Sequence, residues 1–256
     1  MSDVDFGKTA ADYGKYRAGF PPAFFARAAA LGIGLPGQSL LDLGTGTGTL
    51  ARGFAQQGCQ AVGLDPAETM LAQARLLDAE AGVRVEYRQG VAERTGLPDA
   101  AFDVVTAGQC WHWFQRPEAA REAWRVLRHG GILALAHYDW IPLPGNVVEA
   151  TERLILQHNP AWQGAGGSGV HGGHFADLAQ AGFVGLEAVA FDVPAVYSHE
   201  AWRGRIRASA GVSASLPPHA VTRFDAELAA LLRARFPQEP LCVPHRVFLV
   251  LGRKYG

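Results

Sequence analysis

Three glycines at alternate positions, Gly44, Gly46 and Gly48, interrupt the segment LLDLGTGTGTL, directly after an apolar run that carries Asp42. Glycine lets a backbone come close to a ligand, because there is no Cβ to clash. A helix start beyond such a loop adds free N–H groups and a positive dipole end. Three kinds of ligand use a loop of this sort. A dinucleotide fingerprint needs G-x-G-x-x-G, and both frames fail, at Thr49 counting from Gly44 and at Ala51 counting from Gly46. A phosphate loop needs a closing G-K-[ST], and this loop has no lysine. A nucleoside without a pyrophosphate requires neither device.

Two further groups of residues carry chemistry. GQCWHWFQRP sets Trp111, His112, Trp113 and Phe114 in a row, and rings in such number are costly to leave in water. His112 suits proton removal near neutral pH; a packing histidine bonded to backbone fits its position equally well. His171 and His174 form H-x-x-H at the end of the glycine-dense PAWQGAGGSGVHGG. With His112 or His137 they could hold a metal, but loop placement and the lack of a neighbouring cysteine make no metal the expectation. A mobile gate over 164–173 is the expected role of that segment.

The elements around these residues alternate. SLLDLG, QAVGLD, VRVEYRQG, FDVVTAGQ and ILALAHYD read as strands, separated by helical stretches such as AETMLAQARLLDAEAG. Pro21-Pro22 open a first helix, and PEAAREAWRVLRHGG reads as a helix from Pro117 to Gly130-Gly131. Strict alternation implies a doubly wound, mostly parallel α/β sheet. After Asp139 the rhythm breaks into helices and loops, with two last strands in LEAVAFDVP and HRVFLVLGRKY. The sequence therefore predicts a seven-stranded sheet with a helical cap inserted towards the C-terminus.

The bulk numbers narrow the partners. The 256 residues are 48% hydrophobic, enough for a sizeable core, and carry a formal charge of -1. That balance lacks the basic excess of a nucleic-acid binder. Cys59, Cys110 and Cys242 are few and far apart, as expected in a reducing cytoplasm. No apolar stretch approaches the length of a membrane span, and the N-terminus lacks a signal-peptide core.

Four segments in order resemble the class I S-adenosylmethionine-dependent methyltransferases: LLDLGTGTGTL, AVGLDPAETML, QGVAERTGLPDAAFDVVTAGQ and EAWRVLRHGGILAL. The match covers roughly residues 37–140. The resemblance implies a Rossmann-like methyltransferase fold with S-adenosyl-L-methionine as methyl donor and S-adenosyl-L-homocysteine as product. It assigns Asp65, 21 positions after Gly44, to the ribose hydroxyls; an ordinary turn aspartate before Pro66 is the plain alternative. Gly44, Thr45 and Gly46 would flank the methionine part, Asp42 would organise the loop or meet the amino group, directly or through water, and Pro66 and Met70 would pack near the adenine. Relatives carry G-D-A where this chain has Gly90-Val91-Ala92, so Glu93 or the Ala92 N–H would meet the adenine instead. Gln109 joins the cofactor set.

HWF and ADYGKYRAGFP resemble a small-molecule subgroup that includes trans-aconitate-type carboxyl methyltransferases. That resemblance makes Tyr13, Tyr16 and Arg17 a lid over the cofactor, with Tyr13, Trp111, Trp113 and Tyr138 on the acceptor side and His112 as base. His137, Tyr138 and Asp139 are equally ordinary strand-end residues, and Arg17 an ordinary surface residue. Arg203, Arg205 and Arg207 would meet an anionic acceptor or lie on a solvated face.

The resulting expectation is one methyltransferase domain over 1–256: lid and first helix in 1–36, cofactor core in 37–140, cap in 141–175 and 194–240. The acceptor would be a small molecule offering an O-, N- or carboxyl nucleophile, on a monomer or homodimer, with no membrane or nucleic-acid partner. Methylation of RNA or another macromolecule, and cofactor binding without turnover, are the rivals. A dehydrogenase is disfavoured by the failed glycine count.

Overall fold

Strands buried on both faces need apolar side chains on both, and β1 (Ser39–Leu43, SLLDL) meets that demand with a single charged exception, Asp42. The computed structural model describes residues 19–255. β1 is followed by β2 (Gln60–Asp65), β3 (Glu86–Gln89), β4 (Phe102–Gly108) and β5 (Leu127–Trp140). With β6 (Val184–Asp192) and β9 (His245–Arg253) they form a seven-stranded sheet in the order β3-β2-β1-β4-β5-β9-β6. The pairs β3–β2, β2–β1, β1–β4 and β4–β5 are all parallel. The chain winds outward from β1 to β3, returns to β4, and winds out the other way. The order therefore reverses beside β1, where open α/β sheets leave a crevice at the carboxyl ends of the strands. The expected doubly wound, mostly parallel sheet of seven strands is the one found.

Local chemistry sets the helices. α1 (Pro22–Ala30) begins with a proline, whose missing N–H is spare in a first turn. α2 (Thr49–Gln56) springs from Gly48, and α3 (Glu68–Ala81) ends at Gly82 with φ 65°. α4 (Arg116–Val126) carries Pro117 in its first turn, as the sequence suggests, but stops before Leu127. The Gly130-Gly131 pair expected to end it belongs to β5. Its backbone is claimed by the C-terminal segment, through Gly130 N to Lys254 O at 2.7 Å and Lys254 N to Gly131 O at 2.9 Å. Tertiary pairing overrides the reading of those glycines as a helix stop.

Among the described residues the chain forms two compact units. One holds the sheet and comprises residues 19–138, 171–191 and those from Val247 onward. Its core unites strand and helix residues such as Leu41, Val105, Ala120, Leu133 and Val250. α6 (Gly173–Gln180) packs on α4 within this unit. Residues 171–175, expected in the cap, lie in this unit.

The second unit comprises 139–170 and 192–246. It contains α5 (Val147–His158), α7 (His199–Arg207) and α8 (Pro218–Arg235). It also contains an antiparallel ribbon of β7 (Ala195–Tyr197) and β8 (Leu241–Val243), which the sequence reading did not anticipate. Asn146 and Ser198 cap α5 and α7 through their side chains. The three arginines of α7 are committed inside this unit. Arg203 and Arg207 bind Asp225, and Arg205 lies 4.7 Å from the centre of the Trp140 ring. No helix among the described residues is long and apolar enough to cross a membrane.

Candidate functional site

The loop after β1 is held from below by Asp42. Its Oδ2 accepts from Thr45 Oγ1 at 2.6 Å and its Oδ1 from Thr106 Oγ1 at 2.7 Å. Thr106 faces it because Asp42 and Thr106 are register partners on β1 and β4. Asp42 is 2% exposed. Burial pushes its pKa up to about 6, against the hydroxyl bonds of Thr45 and Thr106 and the Ala51 amide, with the Asp65 charge adding to the rise. Of the roles expected for Asp42, loop organisation is the one these partners describe.

Asp65 closes β2 beside the same loop. Its Oδ2 accepts from Gly46 N at 2.9 Å and its Oδ1 from Ala67 N at 2.9 Å. Burial raises its pKa, while the two amides pull the other way. A carboxylate oxygen has two lone pairs, so each oxygen keeps capacity for one more donor. Thr45 N also bonds Leu64 O at 3.0 Å, tying loop to strand.

The glycines differ in purpose. A Cβ on Gly44 would lie 2.9 Å from both Cys110 Sγ and Phe114 Cζ, so this glycine makes room for the protein's own side chains. A Cβ on Gly46 would meet nothing within 4 Å, so this position opens onto space. Both have positive φ, 60° and 54°. Arg52, one turn into α2, braces the loop. It donates to Thr47 O at 2.8 Å and pairs with the buried Asp78 at 2.7 Å. The sequence reading overlooked Arg52 and Thr106. A lone threonine inside the apolar β4 run was the available signal for the latter.

The remaining cofactor candidates divide. Pro66 is exposed and Met70 is buried in α3. Ala92 lies in the core cluster. Glu93 Oε1 accepts from Gln115 N at 2.8 Å, so it caps the entry to α4, a role its sequence position did not suggest. Gln109 has φ 60°, rare for a non-glycine residue and a common mark of functional strain. Its N–H bonds Ala136 O at 2.8 Å, and its side-chain amide donates to Tyr138 O. Tyr13, Tyr16 and Arg17 lie outside the described residues.

The aromatic run splits as well. Trp111 is fully buried, edge-on to Phe114, with Nε1 donating to Asp177 Oδ2 at 3.0 Å. Expected on the acceptor side, it anchors the short turn Trp111–Trp113 to α6. His112 and Trp113 stay exposed, their ring centres 4.7 Å apart. Tyr138 is 5% exposed, which leaves little of its ring to line a pocket.

The H-x-x-H pair meets His137, one of the two partners weighed for it. His137 at the end of β5, His171 and His174 stand together, with His137 Nε2 and His174 Nε2 3.0 Å apart. His171 stacks on His137 with ring centres 3.6 Å apart, and His112 lies 6.5 Å from His137. Burial, with His171 beside it, lowers the pKa of His174, against the pull of Asp177. Of the three, His171 alone lies in the glycine-rich loop: His174 stands in the first turn of α6 and His137 on a strand.

With this geometry in view, residues 41–135 match the methyltransferase domain family. That stretch of the chain is a methyltransferase domain. The methyltransferase core is 39% identical over 102 residues to the ubiquinone biosynthesis O-methyltransferase of Pseudomonas fluorescens, covering 39% of this chain and 44% of that protein. The chain thus matches less than half the length of such curated relatives. A solved protein of Anaeromyxobacter dehalogenans, assigned as a type II methyltransferase, is 27% identical, with 93% of this chain and 98% of that one covered at a TM-score of 0.67. A Haemonchus contortus phosphoethanolamine N-methyltransferase, at 20% identity and a TM-score of 0.58 over 100% of this chain and 61% of its own, shares the fold.

Proposed function

We propose that this methyltransferase core binds S-adenosyl-L-methionine and moves its methyl group to an oxygen of a small-molecule acceptor. The observation that carries the reading is Asp65, anchored by Gly46 N and Ala67 N at the end of β2, beside the open space over Gly46. An ordinary turn aspartate needs no such opening next to it. The site fits the group: Asp65 has lone pairs left for two hydroxyls, and Gly46 admits a ligand against its backbone. When bound, the cofactor supplies an electrophilic methyl on a sulfonium. Asp65 orients it through the ribose, Asp42 keeps the loop in shape, and Gln109 borders the crevice from β4. His112 takes the proton of an acceptor hydroxyl; a carboxylate acceptor needs no base. Much of the rate comes from holding two reactants in line away from water.

Oxygen as the acceptor atom is supported by the O-methyltransferase name of the Pseudomonas relatives and by the HWF resemblance to carboxyl methyltransferases. The near-neutral charge favours a small acceptor over nucleic acid. Three cysteines, far apart in the sequence, suit a reducing cytoplasm. Isothermal titration with S-adenosyl-L-homocysteine tests the cofactor. Wild type should bind one equivalent, and Asp65→Ala should bind about 100-fold more weakly, the loss of two charge-assisted hydrogen bonds. Unchanged affinity in Asp65→Ala would refute the ribose assignment. Turnover with an acceptor by wild type, and full turnover by His112→Ala, would together remove the histidine base.

A further inference from the structure

We propose that His137, His171 and His174 form a binding site for one divalent first-row transition ion, zinc by preference. The three imidazoles come from separate places in the sequence, β5 and the start of α6, yet each has a ring nitrogen within 4.8 Å of one in both the others. Zinc–nitrogen bonds of about 2.1 Å in a tetrahedral site put the ligating nitrogens about 3.4 Å apart. His137 Nε2 and His174 Nε2, at 3.0 Å, are already near that spacing. The wider pairs involve His171, which is followed by Gly172 and Gly173, where an added Cβ would meet nothing within 4 Å. His171 stacks on His137 with ring centres 3.6 Å apart, so binding requires that stretch to turn the His171 ring as well as shift it, to aim a nitrogen at the ion.

A second observation points the same way. Metal-bound imidazoles usually give their other ring nitrogen to a carboxylate. Asp177 Oδ2 lies 3.4 Å from His174 Nδ1, the nitrogen turned away from the cluster. Asp177 is itself held by Trp111 Nε1 at 3.0 Å and Arg116 Nη1 at 3.2 Å. A proton kept on Nδ1 leaves the His174 Nε2 lone pair facing His137. Three neutral nitrogen donors, without thiolate or carboxylate, suit zinc and its neighbours rather than magnesium or calcium. Three protein ligands leave a fourth position for water or an oxygen ligand, and His171 is the partly exposed member. His112, 6.5 Å from His137, borders the same place. The inference does not depend on methyl transfer, because the ion is detected without turnover.

The test uses the full chain, stripped with a chelator and titrated with zinc against a chromophoric competitor. One ion per chain is expected, with affinity at least 100-fold weaker in His171→Ala. Asp177→Asn should weaken it about 10- to 100-fold while leaving all three ligands in place. Circular dichroism checks that each variant is folded; if His171→Ala is not, His171→Asn replaces it. Cobalt loading should give visible bands of a nitrogen–oxygen site without thiolate charge transfer. Absence of stoichiometric binding overturns the proposal, leaving His137–His174 as a plain hydrogen bond. So does equal affinity in wild type and the folded His171 variant, or a thiolate band that traces the ion to a cysteine.

Discussion

The β1–β2 side of the sheet and the β4–β5 side meet at the same switch point, yet they are built by opposite means. On the β1–β2 side most of the polar bonds join residues within the stretch 42–67. Asp42 holds Thr45, Asp65 holds Gly46 and Ala67, and Arg52 holds Thr47. On the β4–β5 side the polar parts arrive from β5, the Trp111 turn, α4 and α6. Asp177 of α6 is where three of these meet, through Trp111, Arg116 and His174. A side wired locally presents backbone and a carboxylate in a set geometry, as a constant cofactor requires. A side assembled from distant segments can change its residues one at a time, as a varying acceptor requires.

The largest expected effect tests whether the β1–β2 side depends on its brace. Arg52→Ala leaves Asp78 buried and unpaired and frees Thr47 O, so unfolding by urea should show a loss of about 3–5 kcal/mol. A double change to Arg52→Met and Asp78→Leu should recover much of it, since no lone charge remains. A loss below 1 kcal/mol in the single variant would mean the loop needs no such support.

Asp42 gives a pH signature to the same side. Its folded pKa of about 6 lies above the ordinary 3.8, so the native state holds a proton that the unfolded chain releases first. Stability on this account is fully present below pH 4 and is lost as pH rises through 6, by about 3 kcal/mol. In Asp42→Asn that fall should disappear from urea unfolding measured between pH 4 and 7. An unchanged slope would assign the effect to another group.

Gly44→Ala probes a place where the two sides touch. A left-handed alanine costs about 1–2 kcal/mol, and its Cβ must displace Cys110 and Phe114, so a loss of about 2–3 kcal/mol is expected in thermal unfolding. Pairing it with Phe114→Leu should restore part of that. The smallest effect sharpens the division of labour. Glu93→Gln should cost about 1 kcal/mol through the weakened bond to Gln115 N and leave S-adenosyl-L-homocysteine affinity unchanged. A tenfold weaker affinity would return Glu93 to the adenine.

The legible parts of the molecule were those whose physics is local. Alternation of apolar runs and helical periods identified the sheet, because each strand's burial is written in its own residues. The glycine loop and Asp65 could be read because a tight turn beside a strand end demands those residue types at that spacing. The Gly130-Gly131 pair misled, since a helix stop and a strand paired with Lys254 look alike until the C-terminal segment arrives. Trp111 was ambiguous for a like reason: an aromatic run advertises burial or binding, and its contacts with Asp177 and Phe114 come only with the fold.

By itself, then, the sequence determined the winding of the sheet, the loop at its switch point and the carboxylate beside it, all consequences of short-range sterics and burial. Tertiary structure decided which polar groups share a site. Asp42 with Thr106, and His137 with His171 and His174, are neighbours only because parallel strands and α6 carry distant segments to one place. Such meetings depend on the register and packing of whole elements, and no spacing within one segment encodes them.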